Sequence, residues 1–566
     1  MSKSKAKQPK AKPSKAKSSS SAAVRAQPQS GPARELRRLG ERYIEETMAR
    51  FPSVGSAMGR HEFDSELEAP SEKLIRAQQK LLQTTLEAVE AIPENDLRGD
   101  DWLDRRALLA ELRTETWSYE RETFRRNPES WVSGALGSVH HLVVRNADDL
   151  TPVAEAIASR LAKLPDYLEG AADLLKSPVP LWRETAQSSV AGAPALFDAI
   201  NEPLAATGKI KPKRLEALLT AAAAAFKQYG KRVSRVAAGK PRDFTLGRPR
   251  FEALMRERLG WDLTAGEALA YGRTLVARIE QEMEVEANRL SPRKRPRDIL
   301  ERAAADWAPA RGDLLSEYTH ETARVAAEFR RADIVSFPVG DELLVKPVPE
   351  FFRHQFPTAA YSSPGCYDEQ QLGVFWVNDL SLTRATAKER AAEVSQHFGV
   401  PATCAHEAYP GHHLQFCIAN RHPSPVRRWF AHSVFYEGWT LWCEQMAVDH
   451  GVNHDPTAKL NLLHDALWRA HRILVDIGLH AGELDYEGAV KHLMKHVGFT
   501  RGRAEGDVNW YTASPTVPMS YLIGKMEVMR LKHRKVDEGG WSLKRYNDWL
   551  LSFGTIPHRW IEQSGL

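Results

Sequence analysis

Residues 404–417 read Cys-Ala-His-Glu-Ala-Tyr-Pro-Gly-His-His-Leu-Gln-Phe-Cys, and the rest of the chain is interpreted around this stretch. It begins like a metal-binding helix of the His-Glu-x-x-His type, in which a second histidine follows one helical turn after the first. Here Pro410 stands where that second histidine would be, and Gly411, His412 and His413 come after it. The stretch therefore contains the first half of a metal-binding signature and then interrupts it.

A straight helix cannot bring His406 together with either of the later histidines. His412 would lie about 9 Å and His413 about 10.5 Å further along the helix axis, whereas nitrogen ligands lie only about 2.0–2.1 Å from a shared zinc ion. The ring of Pro410 clashes with the carbonyl group of His406, four residues earlier, and Gly411 permits unusual dihedral angles. We therefore predict a break in the helix that returns one histidine to the metal, with His412 favoured and His413 as the alternative.

The third metal ligand is predicted on a later, aromatic-rich helix. Glu437 lies in this segment, where a carboxylate is costly to bury unless it is paired or binds a metal. Pairing with an arginine such as Arg427 is the structural alternative for Glu437, and Glu444 is the alternative ligand. A hydrolytic zinc site needs three protein ligands and one open position. The predicted set is thus His406, His412 and Glu437, holding one Zn²⁺ per chain at a site that manganese or cobalt could also occupy.

Glu407, which follows the first ligand, is the predicted general base. Zinc lowers the pKa of a bound water to about 7, and a neighbouring carboxylate can take the proton. Arg472, Asp476 and His480 are spaced four residues apart on one helix face; they could orient one another towards an anion, or form a surface ion-pair ladder. Tyr521 begins a later helix, where it could donate a hydrogen bond to an oxyanion or simply pack in the core.

Together these motifs resemble the bacterial family known as domain of unknown function 885. The matching segments are His406–Gln415, Tyr436–Trp439, Asp476–His480 and Ser520–Gly524, within a likeness that covers roughly residues 35–555. The resemblance implies a mainly α, zincin-like metallopeptidase scaffold around a deep cleft. It also implies a role for each matched residue: zinc ligands at His406, His412 and Glu437, the general base at Glu407, and contact with the substrate at Arg472, His480 and Tyr521.

The remainder of the chain predicts two helical regions behind a basic tail. Residues 1–34 hold seven Lys, two Arg and no acidic residue, and they have almost no apolar side chains to bury, so we predict a disordered tail. Helical periodicity begins at Glu35. We predict an N-terminal helical region over residues 35–330 and a catalytic region over residues 331–566, the two forming one compact unit.

A small β-sheet is predicted near residues 333–380. The apolar, β-branched runs Ile334–Phe337, Leu343–Lys346 and Val374–Val377 are bounded by Pro and Gly, as is typical of short strands. The strand that ends at Asn378 is predicted to pair with an extended peptide, in the manner of an exposed sheet edge.

Charge and cysteine content favour a cytoplasmic protein. The net charge is +5, but beyond the tail the chain has 69 basic and 73 acidic residues. Binding to nucleic acid is therefore expected only weakly, through the tail. The four cysteines fit a reducing compartment better than a disulfide scaffold. We also expect no secretory signal and no membrane partner, because no suitable apolar run is found.

From these features we expect a zinc-dependent hydrolase of peptide bonds that acts on short peptides. Two other functions remain open at this point. One is a metal-dependent amidase or esterase acting on a non-peptide metabolite, and the other is a metal-bearing binding protein without catalysis. The sequence makes no prediction of the oligomeric state.

Overall fold

Long helices form most of the chain in the computed structural model, which describes residues 31–146, 148–348, 358–379 and 386–566. The α-helices are α1 Gly31–Arg50, α2 Pro52–Ala57, α3 Glu72–Glu90, α4 Gly99–Glu120, α5 Thr123–Arg126, α6 Pro128–Arg145, α7 Ala154–Leu174, α8 Pro180–Ala206, α9 Pro212–Arg235, α10 Arg248–Leu259, α11 Ala265–Leu290, α12 Pro296–Asp306, α13 Leu314–Ala332, α14 Ala387–Val394, α15 Val400–Glu407, α16 His412–Ala419, α17 Pro425–Trp429, α18 Ser433–Asp449, α19 Ala458–Ala481, α20 Tyr486–His496, α21 Arg501–Ala513, α22 Val517–Lys532, α23 Leu543–Leu551 and α24 His558–Gln563. The described strands are β1 Asp341–Pro347, β2 Ala359–Ser362 and β3 Gln371–Val377. The predicted class, mainly α with a small sheet, is confirmed.

The first helix begins earlier than the sequence suggested. α1 begins at Gly31, so residues 31–34 belong to a helix and not to the predicted tail. Residues 1–30 of that tail lie outside the described residues. The apolar side chains of α1, which recur at helical spacing, are buried in the core, as the periodicity predicts: Leu36, Leu39, Tyr43, Ile44 and Met48.

The sheet has the strand order β1-β3-β2, with β1 parallel and β2 antiparallel to β3. Two of the predicted runs fall within β1 and β3, but Ile334–Phe337 is irregular. Its Ile334 and Val335 side chains are buried in the core, and the backbone N–H of Ser336 donates to Asp548 of α23 rather than to a strand. Because β3 is paired on both sides, the prediction that a peptide pairs with it is wrong.

The largest hydrophobic cluster joins distant parts of the sequence. It contains buried side chains from α1, α3, α4 and α13, together with others from β3, α15, α18, α23 and α24. Residues on both sides of the predicted boundary at 330/331 therefore pack into one core. A second cluster belongs to α6–α9, and a third joins α10–α12 to α19 and α22. None of the described helices has both the length and the hydropathy needed to cross a membrane.

Helices α18 and α22 cross with their backbones in contact. A Cβ atom at Gly438 would lie 2.4 Å from the backbone of Gly524, and one at Gly524 would lie 2.0 Å from the carbonyl oxygen of Val434. Glycine is therefore needed on both helices at the crossing point. The crossing brings Glu437 of α18 and Tyr521 of α22 close together.

Candidate metal centre

The signature helix is broken between α15 and α16. α15 ends at Glu407, α16 begins at His412, and the peptide bond between Tyr409 and Pro410 is cis. The indole Nε1 of Trp439 donates a 2.8 Å hydrogen bond to the carbonyl oxygen of Pro410, which ties the break to α18. The predicted interruption of the helix is confirmed.

The close approach of two backbone segments explains why residue 411 is glycine. A Cβ atom on Gly411 would lie 1.8 Å from the carbonyl oxygen of His406 and 2.4 Å from that of Ala405. No side chain could be accommodated at these distances unless the backbone moved. The tight turn carries His412 back over α15, and the imidazole centroids of His406 and His412 are 4.9 Å apart.

Three buried side chains from three helices converge at this point. His406 of α15, His412 of α16 and Glu437 of α18 each offer one ligand atom, and the three atoms lie within 4.8 Å of one another. Oε2 of Glu437 is 3.7 Å from Nε2 of His406 and 3.6 Å from Nε2 of His412. The structure thus brings together the three residues that the sequence predicts as ligands.

The donor set fits a zinc ion. Ligand atoms at about 2.0–2.1 Å from a tetrahedral zinc are about 3.3 Å from one another, close to the separations found here. Oε2 of Glu437 and Nδ1 of His412 are buried and have no hydrogen-bond partner within the described part of the chain. A buried carboxylate oxygen without a partner is costly, and coordination to a cation would remove this cost for Glu437.

Glu444 supports the first histidine from behind. Its Oε1 is 2.7 Å from Nδ1 of His406, so Nδ1–H donates to the carboxylate and Nε2 faces the group. This carboxylate–histidine arrangement is the usual support of a zinc ligand. Glu444 lies seven residues after Glu437, on the same face of α18, and it holds His406 in place rather than serving as the alternative ligand.

We expect Glu444→Ala to weaken zinc affinity about 10–100-fold, because His406 loses the partner that fixes its tautomer and orientation. Glu444→Gln keeps an acceptor of the same shape and should have a smaller effect. Competition titrations with a chromogenic chelator measure both affinities. Unchanged affinity in Glu444→Ala would show that the carboxylate does not support the site.

The carboxylates around His406 stabilise positive charge at this position. Burial opposes protonation of His406, but the nearby carboxylates of Glu437 and Glu444 raise the pKa of the imidazole to about 10. Burial lowers the pKa of His412 to about 3, which leaves that imidazole neutral. The pKa of Glu437 is lowered, because the attraction of His412 and His406 outweighs its burial. The carboxylates of Glu437 and Glu444, together with the neutral imidazole of His412, form a set of groups that suits a divalent cation.

Glu407 lies beside the three ligands without joining them. Its Oε2 is 4.0 Å from Nε2 of His412, and its side chain is 16% exposed compared with 9% for Glu437. Burial raises the pKa of Glu407 to about 7, with the nearby carboxylate of Glu437 acting in the same direction. Glu407 is therefore the most accessible carboxylate of the group and is placed as a proton acceptor.

His413 belongs to a different set of contacts. Its Nδ1 is 3.0 Å from the hydroxyl group of Tyr361, and its Nε2 is 3.3 Å from Oδ2 of Asp341. The ring of Tyr361 in turn stacks on His412, with centroids 6.0 Å apart. His413 thus anchors α16 to the sheet, and His412, not His413, faces the other two ligands. No local sequence spacing indicated Asp341, which reaches the motif only through the fold.

Tyr521 lies beside the three predicted ligands, while Arg472 lies behind it. Tyr521 is half-buried, and its hydroxyl group lies near the carboxylate of Glu437. The guanidinium group of Arg472 lies 4.7 Å from the Tyr521 ring and 4.0 Å from the Trp468 ring, and its Nε donates to the hydroxyl group of Tyr511. Arg472 is itself buried among these rings, so it positions Tyr521 instead of contacting a substrate as predicted.

The prediction that His480 faces the substrate is wrong. Its ring has no exposed surface, stacks on Phe251, and places Nε2 2.9 Å from the carbonyl oxygen of Tyr511. Asp476, one turn earlier, accepts hydrogen bonds from the backbone N–H groups of Thr516 and Met519, at the beginning of α22. The shared helix face therefore meets α21 and α22, where it fixes the helix that carries Tyr521.

A family model described as "Bacterial protein of unknown function (DUF885)" matches residues 52–564. The chain belongs to this family. No curated protein sequence matches the chain significantly.

Two solved structures share the fold of this DUF885 protein. One, from Shewanella oneidensis, is described as "a putative lipoprotein of unknown function"; its TM-score is 0.72 at 20% identity, over 93% of this chain and 99% of that one. The other, a "putative lipoprotein" from Colwellia psychrerythraea, has a TM-score of 0.69 at 18% identity, over 94% of this chain and 98% of that one. At these identities the likeness concerns the fold alone.

Proposed function

We propose that this DUF885 protein is a zinc-dependent hydrolase of peptide bonds that acts on short peptides. The observation that carries the proposal is the convergence of His406, His412 and Glu437 at ligand spacing, with the carboxylate of Glu407 beside them. Each ligand comes from a different helix. A set of donors this close together, with a carboxylate to accept a proton, is the arrangement that metal-assisted hydrolysis requires.

His406, His412 and Glu437 would hold one Zn²⁺ ion. When bound, zinc supplies Lewis acidity, which lowers the pKa of water to about 7 and polarises a carbonyl group. Glu444 keeps His406 in the tautomer that a ligand needs, through the contact with Nδ1. Manganese or cobalt would suit the same donors, and metal analysis of the purified protein identifies the resident ion.

The other side chains of the site have roles in proton transfer and charge stabilisation. Glu407 takes the proton from the attacking water and later gives it to the leaving amine. Tyr521 can turn its hydroxyl group from Glu437 to the oxygen of the scissile carbonyl and donate a hydrogen bond to the charge that develops there. Arg472 keeps the Tyr521 ring in place through the contact between guanidinium group and ring.

Burial favours small, flexible substrates over folded proteins. His406 and His412 are each 8% exposed, and Glu437 is 7% exposed, so a scissile bond must enter an enclosed site to reach them. A short peptide can do so because it has no structure that excludes it. A small non-peptide amide or ester could enter the same space, which makes such compounds the necessary comparison in the assay.

Removal of the metal should abolish peptide hydrolysis, and one equivalent of zinc per chain should restore it. The assay uses a library of short peptides together with panels of small amides and esters, each tested before chelation, after chelation and after re-addition of zinc. Cleavage of peptides supports the proposal. Cleavage of only the small panels would make the protein an amidase or esterase, and bound zinc without any hydrolysis would make it a metal-bearing binding protein.

Location in the cytoplasm also stays a proposal. All four cysteines are free and buried, which agrees with a reducing compartment. The two proteins of similar structure are described as lipoproteins, so the envelope is the alternative location. Cell fractionation with an antibody against the chain distinguishes the two.

A further inference from the structure

A second group of histidines lies on α19 and α20. We propose that His471, His492 and His496 form a second metal site, which takes a divalent transition ion that prefers imidazole, such as Zn²⁺, Ni²⁺ or Cu²⁺. The site shares no residue with the centre formed by His406, His412 and Glu437.

The three imidazoles are close neighbours in the fold. His492 and His496 are one turn apart on the same face of α20, the spacing with which two histidines of a helix bind one metal ion. His471 reaches them from α19. The ring centroids are 5.0 Å apart for His471 and His492, 5.3 Å for His471 and His496, and 4.7 Å for His492 and His496.

The first metal centre provides an internal standard for these distances. There, the centroids of His406 and His412, which present their nitrogens to one position, are 4.9 Å apart. The three separations in the second group lie on either side of this value. The rings are thus as close to one another as that pair, but only the nitrogens of His471 and His492 already face each other, so the ring of His496 must turn to bring a nitrogen to a common ion.

Two of the nitrogens are already at ligand spacing. Nδ1 of His471 is 3.0 Å from Nε2 of His492, where a single proton holds the two atoms together. Two nitrogens bound to one tetrahedral ion are about 3.3 Å apart, so an ion could replace that proton once the two rings tilt to point both nitrogen lone pairs at it. The ring of His496 would then turn to supply the third nitrogen, and water would complete the coordination.

The site has one buried ligand, His471, and is open to solvent on the side of His496. His471 is 2% exposed, and its Nε2 has no hydrogen-bond partner among the residues described. His492 is half-buried and His496 is exposed. A metal ion can therefore enter past His496, while the rigid packing of His471 sets the position of the first ligand.

Titration of the chelator-treated full chain with Zn²⁺ or Ni²⁺ alone tests the proposal. The wild-type protein should bind two equivalents, and the H492Q/H496Q double variant should bind one. A variant of the first centre, H406Q/H412Q, should lose the other equivalent and keep that of the second group. The H450Q/H454Q variant changes two exposed histidines that lie four residues apart elsewhere and serves as the matched control; it should bind two equivalents.

Spectroscopy separates a three-histidine site from a pair of surface histidines. Cu²⁺ bound to H406Q/H412Q should give an electron paramagnetic resonance spectrum with the nitrogen couplings of three imidazoles, and His471→Gln added to this background should reduce them to the couplings of two; unchanged couplings would show that only the surface pair binds the ion. Thermal unfolding of each variant shows whether the chain still folds. The proposal is overturned if folded H492Q/H496Q still binds two equivalents, or if the wild-type chain binds only one.

Discussion

Glu407→Gln should retain one zinc ion per chain and lose about 10²–10⁴-fold in turnover, the range that a general base contributes. Glutamine has the shape of glutamate, but its amide cannot accept and return a proton. Because Glu407 does not belong to the set of ligand atoms formed by His406, His412 and Glu437, the metal should stay in place while the reaction fails.

Two measurements on the same preparation decide this prediction. One is the turnover number on the peptide that the wild-type enzyme cleaves best, and the other is the zinc content after dialysis. Glu444→Gln is the matched control: it also exchanges a carboxylate for an amide at this site, but at saturating zinc it should keep most of its turnover. Wild-type turnover in Glu407→Gln would exclude the residue as the base.

Gly411→Ala should abolish zinc binding and destabilise the fold. The added Cβ atom would lie 1.8 Å from the carbonyl oxygen of His406, so the backbone that returns His412 to His406 must move. Overpacking of a rigid interior typically costs about 1–3 kcal/mol, and a backbone contact this short should cost at least the upper end of that range. Ligands displaced by an ångström no longer share one ion.

Gly192→Ala is the control for the loss of a glycine. Gly192 lies inside α8, and a Cβ atom there would meet nothing within 4 Å. Alanine favours a helix interior by roughly 1 kcal/mol over glycine, so this variant should be at least as stable as the wild type. Denaturant unfolding and zinc content are measured for both variants. Stoichiometric zinc in Gly411→Ala would refute the steric argument for the turn.

Local rules predicted those parts of the fold and site that depend on a few neighbouring residues. The spacing of apolar side chains predicts α1, and the clash between Pro410 and His406 predicts the break that makes His412 a candidate ligand. Hydrophobic runs were a weaker guide to strands: the buried Ile334 and Val335 pack against helices without strand partners.

Spacing alone could not test the roles predicted for Arg472, Asp476 and His480, which share one face of α19. Residues four apart share a helix face, but spacing does not say what that face meets. In the structure the face meets α21 and α22, so His480 binds the carbonyl group of Tyr511 and Arg472 lies among aromatic rings. Likewise, the interval between Glu437 and Glu444 places both on one side of α18. Only the position of α15 shows that Glu437 faces the cluster of ligand atoms, while Glu444 contacts the opposite nitrogen of His406.

The glycine contact between α18 and α22 has a consequence for how the proposed site could change during evolution. Because Gly438 and Gly524 touch, any larger residue at either position would push the two helices apart. The contact therefore sets how closely Glu437 of α18 approaches Tyr521 of α22. We therefore expect sequence changes that alter the proposed specificity to fall in the surrounding helices and loops, and not at these two glycines.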